Sequence, residues 1–243
     1  MKKSVKDIKA MKGREKIAVL TCYDYSFAKA MDGNVDIILV GDSLANVVLG
    51  YDRTRYATMQ DMIRHLSAVR KGAPETFIVC DMPYGSYENE AEAVINAKKL
   101  MKAGADAVKP EGRADIIRAL ADNRINVVGH IGYLPQTQKV KLHKEEGLID
   151  EAKKAEKAGA FSIILEMVDK KLAEDISNSI KIPTIGIGSG KYCDGQVLVL
   201  YDLIGLYPDF EPKFARKYMN LKEDARKAAA QYSEDIKKGS FPE

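Results

Sequence analysis

The stretch Ile37-Ile38-Leu39-Val40-Gly41-Asp42-Ser43 decides the fold. Four apolar residues run without a break into a glycine, an acid and a hydroxyl. A short apolar run bounded by turn residues reads as a strand buried on both faces. The acid at its exit then sits at a sheet edge, which is where α/β folds bind ligands.

Outward from this stretch the pattern recurs. Phe77-Ile78-Val79-Cys80 leads into Asp81, and Ala105-Asp106-Ala107-Val108 into Lys109 and Glu111. Val127-Val128-Gly129 leads into His130, Ser162-Ile163-Ile164-Leu165 into Glu166, and Thr184-Ile185-Gly186-Ile187 into Gly188-Ser189-Gly190. Ile17 to Thr21 is a first strand, and Val197 to Leu200 reads either as an eighth strand or as the start of a buried helix. Between the strands lie helical stripes, such as Val94, Ala97, Leu100 and Met101, and helix punctuation, such as Thr58 with Asp61 and the glycines at 104 and 159. Successive strands are roughly 20–40 residues apart, the rhythm of repeated βα units.

The expected architecture is a single (β/α)8 TIM barrel over residues 1–243, with an N-terminal helical arm and a C-terminal helix; a doubly wound open sheet is the alternative. The length of 243 residues suits such a barrel, typically ~250 residues. The C-terminal stripe Leu221, Ala225, Ala228, Ala229, Tyr232 and Ile236 is helical in spacing, and suits packing across the barrel or onto a partner subunit.

Composition narrows the function classes. Hydrophobic residues make up 46%, enough for a real core. Thirty-eight basic residues nearly balance 35 acids for a net charge of +3, so nucleic acid is not an expected partner. The three cysteines, Cys22, Cys80 and Cys193, form no Cys-x-x-Cys pair, which suits a reducing cytoplasm. The N-terminal residues lack the apolar core of a signal peptide, and no apolar stretch approaches the ~20 residues of a membrane span.

Three carboxylates, Asp42, Asp81 and Glu111, leave three strands that are neighbours in the expected barrel. All-oxygen clusters suit a hard cation such as Mg²⁺. The competing reading is that each acid caps the helix after it. Lys109 shares a strand face with Glu111, and either holds a substrate carboxylate or simply pairs with that acid. Glu166, behind an apolar run, reads as a general base whose pKa burial raises, or else as the partner of a core lysine or histidine. His130 lies between Gly129 and Gly132, which permit close backbone approach, and its spacing gives it no catalytic role; His65 and His143 have no claim either. The run Gly186 to Gly190 resembles a phosphate-binding loop or is a tight turn beside the site.

Several motifs carry a family resemblance together: Val40-Gly41-Asp42-Ser43-Leu44, Leu49-Gly50-Tyr51-Asp52, Asp81-Met82-Pro83-Tyr84-Gly85-Ser86-Tyr87, Lys109-Pro110-Glu111-Gly112, Gly129-His130-Ile131-Gly132, Leu165-Glu166, and Ile185 to Gly190 through Cys193 to Val199. In this order they resemble ketopantoate hydroxymethyltransferase. The resemblance implies a barrel of the phosphoenolpyruvate/pyruvate type. It implies transfer of a hydroxymethyl group from 5,10-methylenetetrahydrofolate, or an analogous one-carbon carrier, to 3-methyl-2-oxobutanoate, giving 2-dehydropantoate for pantothenate and coenzyme A. It also implies Mg²⁺ on Asp42 and Asp81, with Glu111 completing the shell directly or through water; the 2-oxo acid on Asp42, Ser43, Asp81 and Lys109; Glu166 as base; and a homo-oligomer, often a decamer in the family.

The chain departs from the family pattern between Thr137 and Leu148, where a charged stretch replaces a Gly-Gly-aromatic loop. Smaller departures are Pro110, Arg113, Ala45 and Ser189. Two other readings compete: a Mg²⁺-dependent 2-oxo acid lyase or mutase of the same barrel superfamily, and a non-catalytic barrel.

Overall fold

The computed structural model describes residues 2–207 and 209–242. The chain divides after Val197 into a larger and a smaller compact unit.

The larger unit opens with α1 (Val5–Ala10), whose N-terminus is closed by a Ser4–Asp7 capping box. It then alternates strand and helix: β1 (Ile17–Thr21), α2 (Tyr25–Met31), β2 (Ile37–Val40), α3 (Leu44–Val47), a 3₁₀ turn at Thr54–Tyr56, α4 (Met59–Gly72), β3 (Phe77–Asp81), α5 (Glu90–Ala103) and β4 (Ala107–Lys109). The second half continues with α6 (Ala114–Asp122), β5 (Val128–Gly132), α7 (Gly147–Ala158), β6 (Ser162–Glu166), α8 (Lys170–Ser179), β7 (Thr184–Ile187) and β8 (Gly195–Leu198). The expected capping box of α4 forms in both directions, with Thr58 N–H donating to Asp61 and Asp61 N–H donating to the Thr58 hydroxyl.

The strands lie in the order β4-β3-β2-β1-β8-β7-β6-β5. The pairings from β1 to β4 and from β5 to β8 are parallel. A single parallel bridge, Val108 to Val127, joins the two ends of this order into a nearly closed barrel. The open-sheet alternative is therefore set aside.

Some strand boundaries differ from expectation. Helix α9 (Leu200–Leu203) takes the end of the run read as β8, and the strand itself begins two residues earlier. Gly195 makes that start possible, because a Cβ there would lie 2.5 Å from the carbonyl oxygen of Ile17. β5 runs to Gly132 rather than stopping at His130. Periodicity alone does not mark where an apolar run turns from strand to helix.

Side chains alternate along each strand, and one face fills the barrel. Val19, Ile37, Leu39, Phe77, Val79, Ala107, Val128, Ile164, Ile185 and Val197 form one core cluster. Ile8 and Met11 of α1 join it. Lys2 pairs with Asp106, Lys3 with Asp36 and Lys12 with Asp194, all just before strands begin. α1 therefore lies across the N-terminal end of the barrel, and the C-terminal end is left for chemistry.

The smaller unit holds α9 and α10 (Leu221–Lys238). Backbone bonds from Tyr218 to Leu203 and from Leu221 to Ile204 tie the two helices together. The expected helix is present, and Tyr232 and Ile236 on its stripe are exposed.

Candidate active site

The same alternation that fills the barrel builds the site. Phe77 and Val79 point into the core, so Asp81, two residues on, points the same way one layer higher. Ala107 does this for Lys109, Val128 for His130 and Ile164 for Glu166. The register sets Asp81 beside Lys109, and Gly132 beside Glu166. Four polar side chains thus crown an apolar barrel at the carboxyl ends of β3 to β6.

Asp42 enters from the turn after β2. Its backbone N–H donates to Asp81 Oδ2 at 3.0 Å, so the two acids are neighbours. Lys109 Nζ lies 3.0 Å from Asp81 Oδ1 and 3.2 Å from His130 Nδ1. His130 Nδ1 is 3.8 Å from Glu111 Oε1, and His130 Nε2 is 3.3 Å from Glu166 Oε2. Asp42, Asp81, Lys109, Glu111 and His130 are each no more than 5% exposed, whereas the Glu166 side chain is 20% exposed and reaches the mouth. Ser43 is half-buried, its hydroxyl 2.9 Å from the Tyr23 hydroxyl. Asp42, Ser43, Asp81, Lys109, Glu111 and Glu166 therefore all lie at or just beyond the carboxyl ends of β2, β3, β4 and β6.

Three residues without an assigned role belong with them. Spacing alone gives His130 no role because strands buried on both faces hide which face points inward. Its place two residues beyond Val128 is the signal. Gln136 and Tyr87 are buried beside Asp42 and Glu111 through hydrogen bonds across the loops. Tyr87 lies within a quoted motif, and nothing in the local sequence marks Gln136.

Other candidates take structural parts. Ser189, within the glycine run after β7, donates to the Leu165 carbonyl at 2.7 Å and accepts from Val168 N–H at 3.0 Å. The run is a turn that braces the backbone around Glu166. Gly132 has φ of +91°, and a Cβ there would lie 2.3 Å from the Glu166 carbonyl oxygen. The divergent loop is anchored at His143, whose N–H donates to Met167 O at 2.7 Å and whose carbonyl accepts from Asp169 N–H at 2.8 Å.

The electrostatics are one-sided. Four acids share one lysine. Burial raises the Asp42 carboxyl to about 7, with Asp81 adding to the rise. Burial raises Glu111 to about 9, with Asp42 adding. Burial lifts Glu166 to about 8 against the pull of Lys109. Burial opposes charge on Lys109 too, but Asp81, Glu111 and Asp42 outweigh it and keep the ammonium protonated. Burial and the adjacent Lys109 hold His130 neutral. Since Lys109 can only donate, Nδ1 of His130 accepts and its hydrogen is on Nε2, which has no hydrogen-bond partner.

Asp81 Oδ1 is likewise buried without a hydrogen bond, although it lies against the Lys109 ammonium. Among the described residues no three His, Cys, Asp or Glu side chains gather closely enough to hold an ion unaided. Mg²⁺ does not require that: it keeps several waters and takes one or two carboxylates plus substrate oxygens. The adjacent Asp42 and Asp81, all-oxygen and short of positive charge, fit such a cation. A depression of about 760 Å³ elsewhere on this unit, lined by Lys9, Arg124, Phe161 and Lys181, has none of these strand-end acids.

Comparison with known proteins adds the following. The family described as ketopantoate hydroxymethyltransferase matches residues 2–243. A 3-methyl-2-oxobutanoate hydroxymethyltransferase of Thermotoga maritima is 48% identical over 253 aligned positions, covering 98% of this chain and 94% of the relative. One of the same name from Clostridium acetobutylicum is 47% identical, covering 95% of this chain and 89% of the relative. Among solved structures, the phosphoenolpyruvate phosphomutase of Streptomyces platensis subsp. rosaceus superposes with a TM-score of 0.67 at 13% identity, over 98% of this chain and 88% of that one. A 2,3-dimethylmalate lyase of the PEP mutase/isocitrate lyase superfamily gives 0.62 at 15% identity, over 98% and 89%. At such identities these two speak for the barrel fold alone.

Proposed function

This chain belongs to the ketopantoate hydroxymethyltransferase family, and from that premise we propose that it transfers the hydroxymethyl group of 5,10-methylenetetrahydrofolate to 3-methyl-2-oxobutanoate, giving 2-dehydropantoate for pantothenate and coenzyme A. The single observation that carries the reading is the placement of Glu166, a carboxylate lifted towards neutrality by burial, 3.3 Å from a neutral histidine at the mouth of a carboxylate cluster.

Glu166 is the base that removes the C3 proton of the 2-oxo acid. A carboxylate with a pKa near 8 is a far better match for a weak carbon acid than one near 4. Lys109, charged and buried, faces the anionic substrate, and Ser43 adds a hydroxyl at the rim. His130 presents its Nε2–H beside the base, where it donates to a substrate oxygen as negative charge develops. The transferred carbon gives up both of its bonds to carrier nitrogens and gains one bond to C3 and one to the oxygen of water; of the C3 proton and the two water protons, one stays on the new hydroxyl and two go to the freed nitrogens.

Asp42 and Asp81 would hold Mg²⁺, with Glu111 completing the shell directly or through water. Mg²⁺ when bound would act as a Lewis acid towards the carboxylate and keto oxygens of the substrate and supply the positive charge this cluster lacks. We place the enzyme in the cytoplasm as a homo-oligomer. Its three buried, unpaired cysteines suit a reducing compartment, and the exposed apolar residues of α10 suit association. Among the described residues no helix is long and apolar enough to cross a membrane. The lyase and mutase reading rests on fold likeness below 16% identity, whereas relatives at 47–48% carry the transferase name.

Proton NMR of 3-methyl-2-oxobutanoate in D₂O tests this reading. Loss of the C3 proton signal with enzyme and Mg²⁺, prevented when EDTA is present from the start, is the expected result. Absence of both exchange and product when methylenetetrahydrofolate is also present would overturn it.

A further inference from the structure

Gln136 is a buried polar side chain that the reaction outlined above does not use. It is 1% exposed, lies in the β5–α7 loop, and reaches three other strand ends. Its Nε2 donates to Asp42 Oδ2 at 2.8 Å and to the Met82 carbonyl at 3.0 Å. Its backbone N–H donates to Glu111 Oε2 at 3.3 Å.

The orientation of the amide follows from the chemistry of its neighbours. Tyr87 Oη accepts the N–H of Glu111 at 3.3 Å, so its own hydrogen is free to go to Gln136 Oε1, 2.5 Å away. Nε2 then faces two groups that can only accept. Every polar atom of this side chain is satisfied in one orientation, and the flipped orientation would set an oxygen against both the Asp42 carboxylate and a carbonyl. A carboxylate with one oxygen tied in this way keeps the other for a cation. Partners that orient a ligand from behind are a recurring part of metal sites.

The same bonds have a second consequence. From Thr137 to Leu142 the loop is exposed, and its far anchor is His143. Gln136 is its near anchor, and that anchor is made to the proposed cation ligands themselves.

We propose that Gln136 is a positioning residue: its amide, oriented by Tyr87, aims the Asp42 carboxylate at the cation and latches the near end of the charged 137–142 loop to the metal cradle. This rests on the metal-site reading above.

The test uses the full chain and two variants. Gln136→Met keeps the length and removes the amide; Tyr87→Phe removes only the hydroxyl that orients it and serves if the first variant does not fold. Mn²⁺ affinity is measured by electron paramagnetic resonance without substrate, and tryptic cleavage after Lys139 and Lys141 is followed by mass spectrometry on metal-free protein. The expected results are a rise in the Mn²⁺ dissociation constant of about tenfold or more for Gln136→Met, a smaller rise for Tyr87→Phe, and faster loop cleavage in both. Activity lost at low Mg²⁺ should return at saturating Mg²⁺, which general damage to the fold would not allow.

Asp81→Asn is the control that separates the two claims. If it abolishes Mn²⁺ binding while the folded Gln136 and Tyr87 variants bind within twofold of the parent, the metal site stands and the positioning role is overturned. If the parent itself binds no Mn²⁺, the metal-site reading and the aiming role fall together. Cleavage at the parent rate in both variants overturns the latch.

Discussion

The Nε2 atom of His130 lies 3.3 Å from Oε2 of Glu166, and that nitrogen has no hydrogen-bond partner. A neutral imidazole held through its other nitrogen by Lys109 thus points a free N–H at the place where the base works. Buried polar groups are nearly always satisfied, so this donor is kept for what binds there.

Glu166→Gln should therefore retain cation and 2-oxo acid binding and lose C3 proton exchange. A positioned base contributes about 10²–10⁴-fold, and exchange in D₂O should fall by that factor. An exchange rate equal to that of the parent would remove Glu166 from the role of base.

The pH dependence follows in sign from the raised carboxyls. Glu166 must be deprotonated to act, so with the cation limiting, exchange should rise with pH towards a limb near 8. Asp42, raised to about 7, and Glu111, raised to about 9, exchange their protons for the cation, so cation affinity should also climb across this range. A saturating cation adds positive charge beside Glu166 and should move its limb to lower pH. Exchange profiles at low and saturating Mg²⁺ check this, and identical limbs would show that the cation does not bind near the base.

Asp81→Asn removes one of the two adjacent carboxylates and the counter-charge 3.0 Å from Lys109. Calorimetric titration with Mg²⁺ should show affinity weakened by more than tenfold, following the logic of direct ligands over their supporting partners. Unchanged affinity would count against Asp81 as a ligand.

Gly132→Ala should disturb the base without touching its side chain. The new methyl would lie 2.3 Å from the Glu166 carbonyl oxygen, at a φ of +91°. Left-handed strain alone costs about 1–3 kcal/mol, and the contact adds to it. Thermal denaturation should show the loss, and exchange should fall even in the protein that remains folded.

Ile8→Ala tests the other end of the barrel. Ile8 is fully buried and belongs to the barrel core cluster although α1 precedes every strand. Truncation should cost about 2–5 kcal/mol in denaturant unfolding, with exchange per folded molecule unchanged.

The linear sequence by itself determined most of the element order, since each apolar run that ends in an acid or a glycine is a strand leaving the core. β1, β2 and β7 begin and end where those runs do. It also marked Asp42, Asp81, Lys109, Glu111 and Glu166, because titratable groups directly after buried strands have few other reasons to be there. The tertiary structure decided the rest. Strands buried on both faces carry no alternation that shows which face is inward, so only the pairing of β5 with β6 brought His130 to Glu166, and only barrel closure brought it to Lys109. The start of β8 was settled by the close approach of Gly195 to Ile17. Gln136 meets Asp42 across 94 positions of sequence through one hydrogen bond. No local pattern encodes such a contact, because it exists only once two loops at the same barrel mouth have been brought together by the strands beneath them.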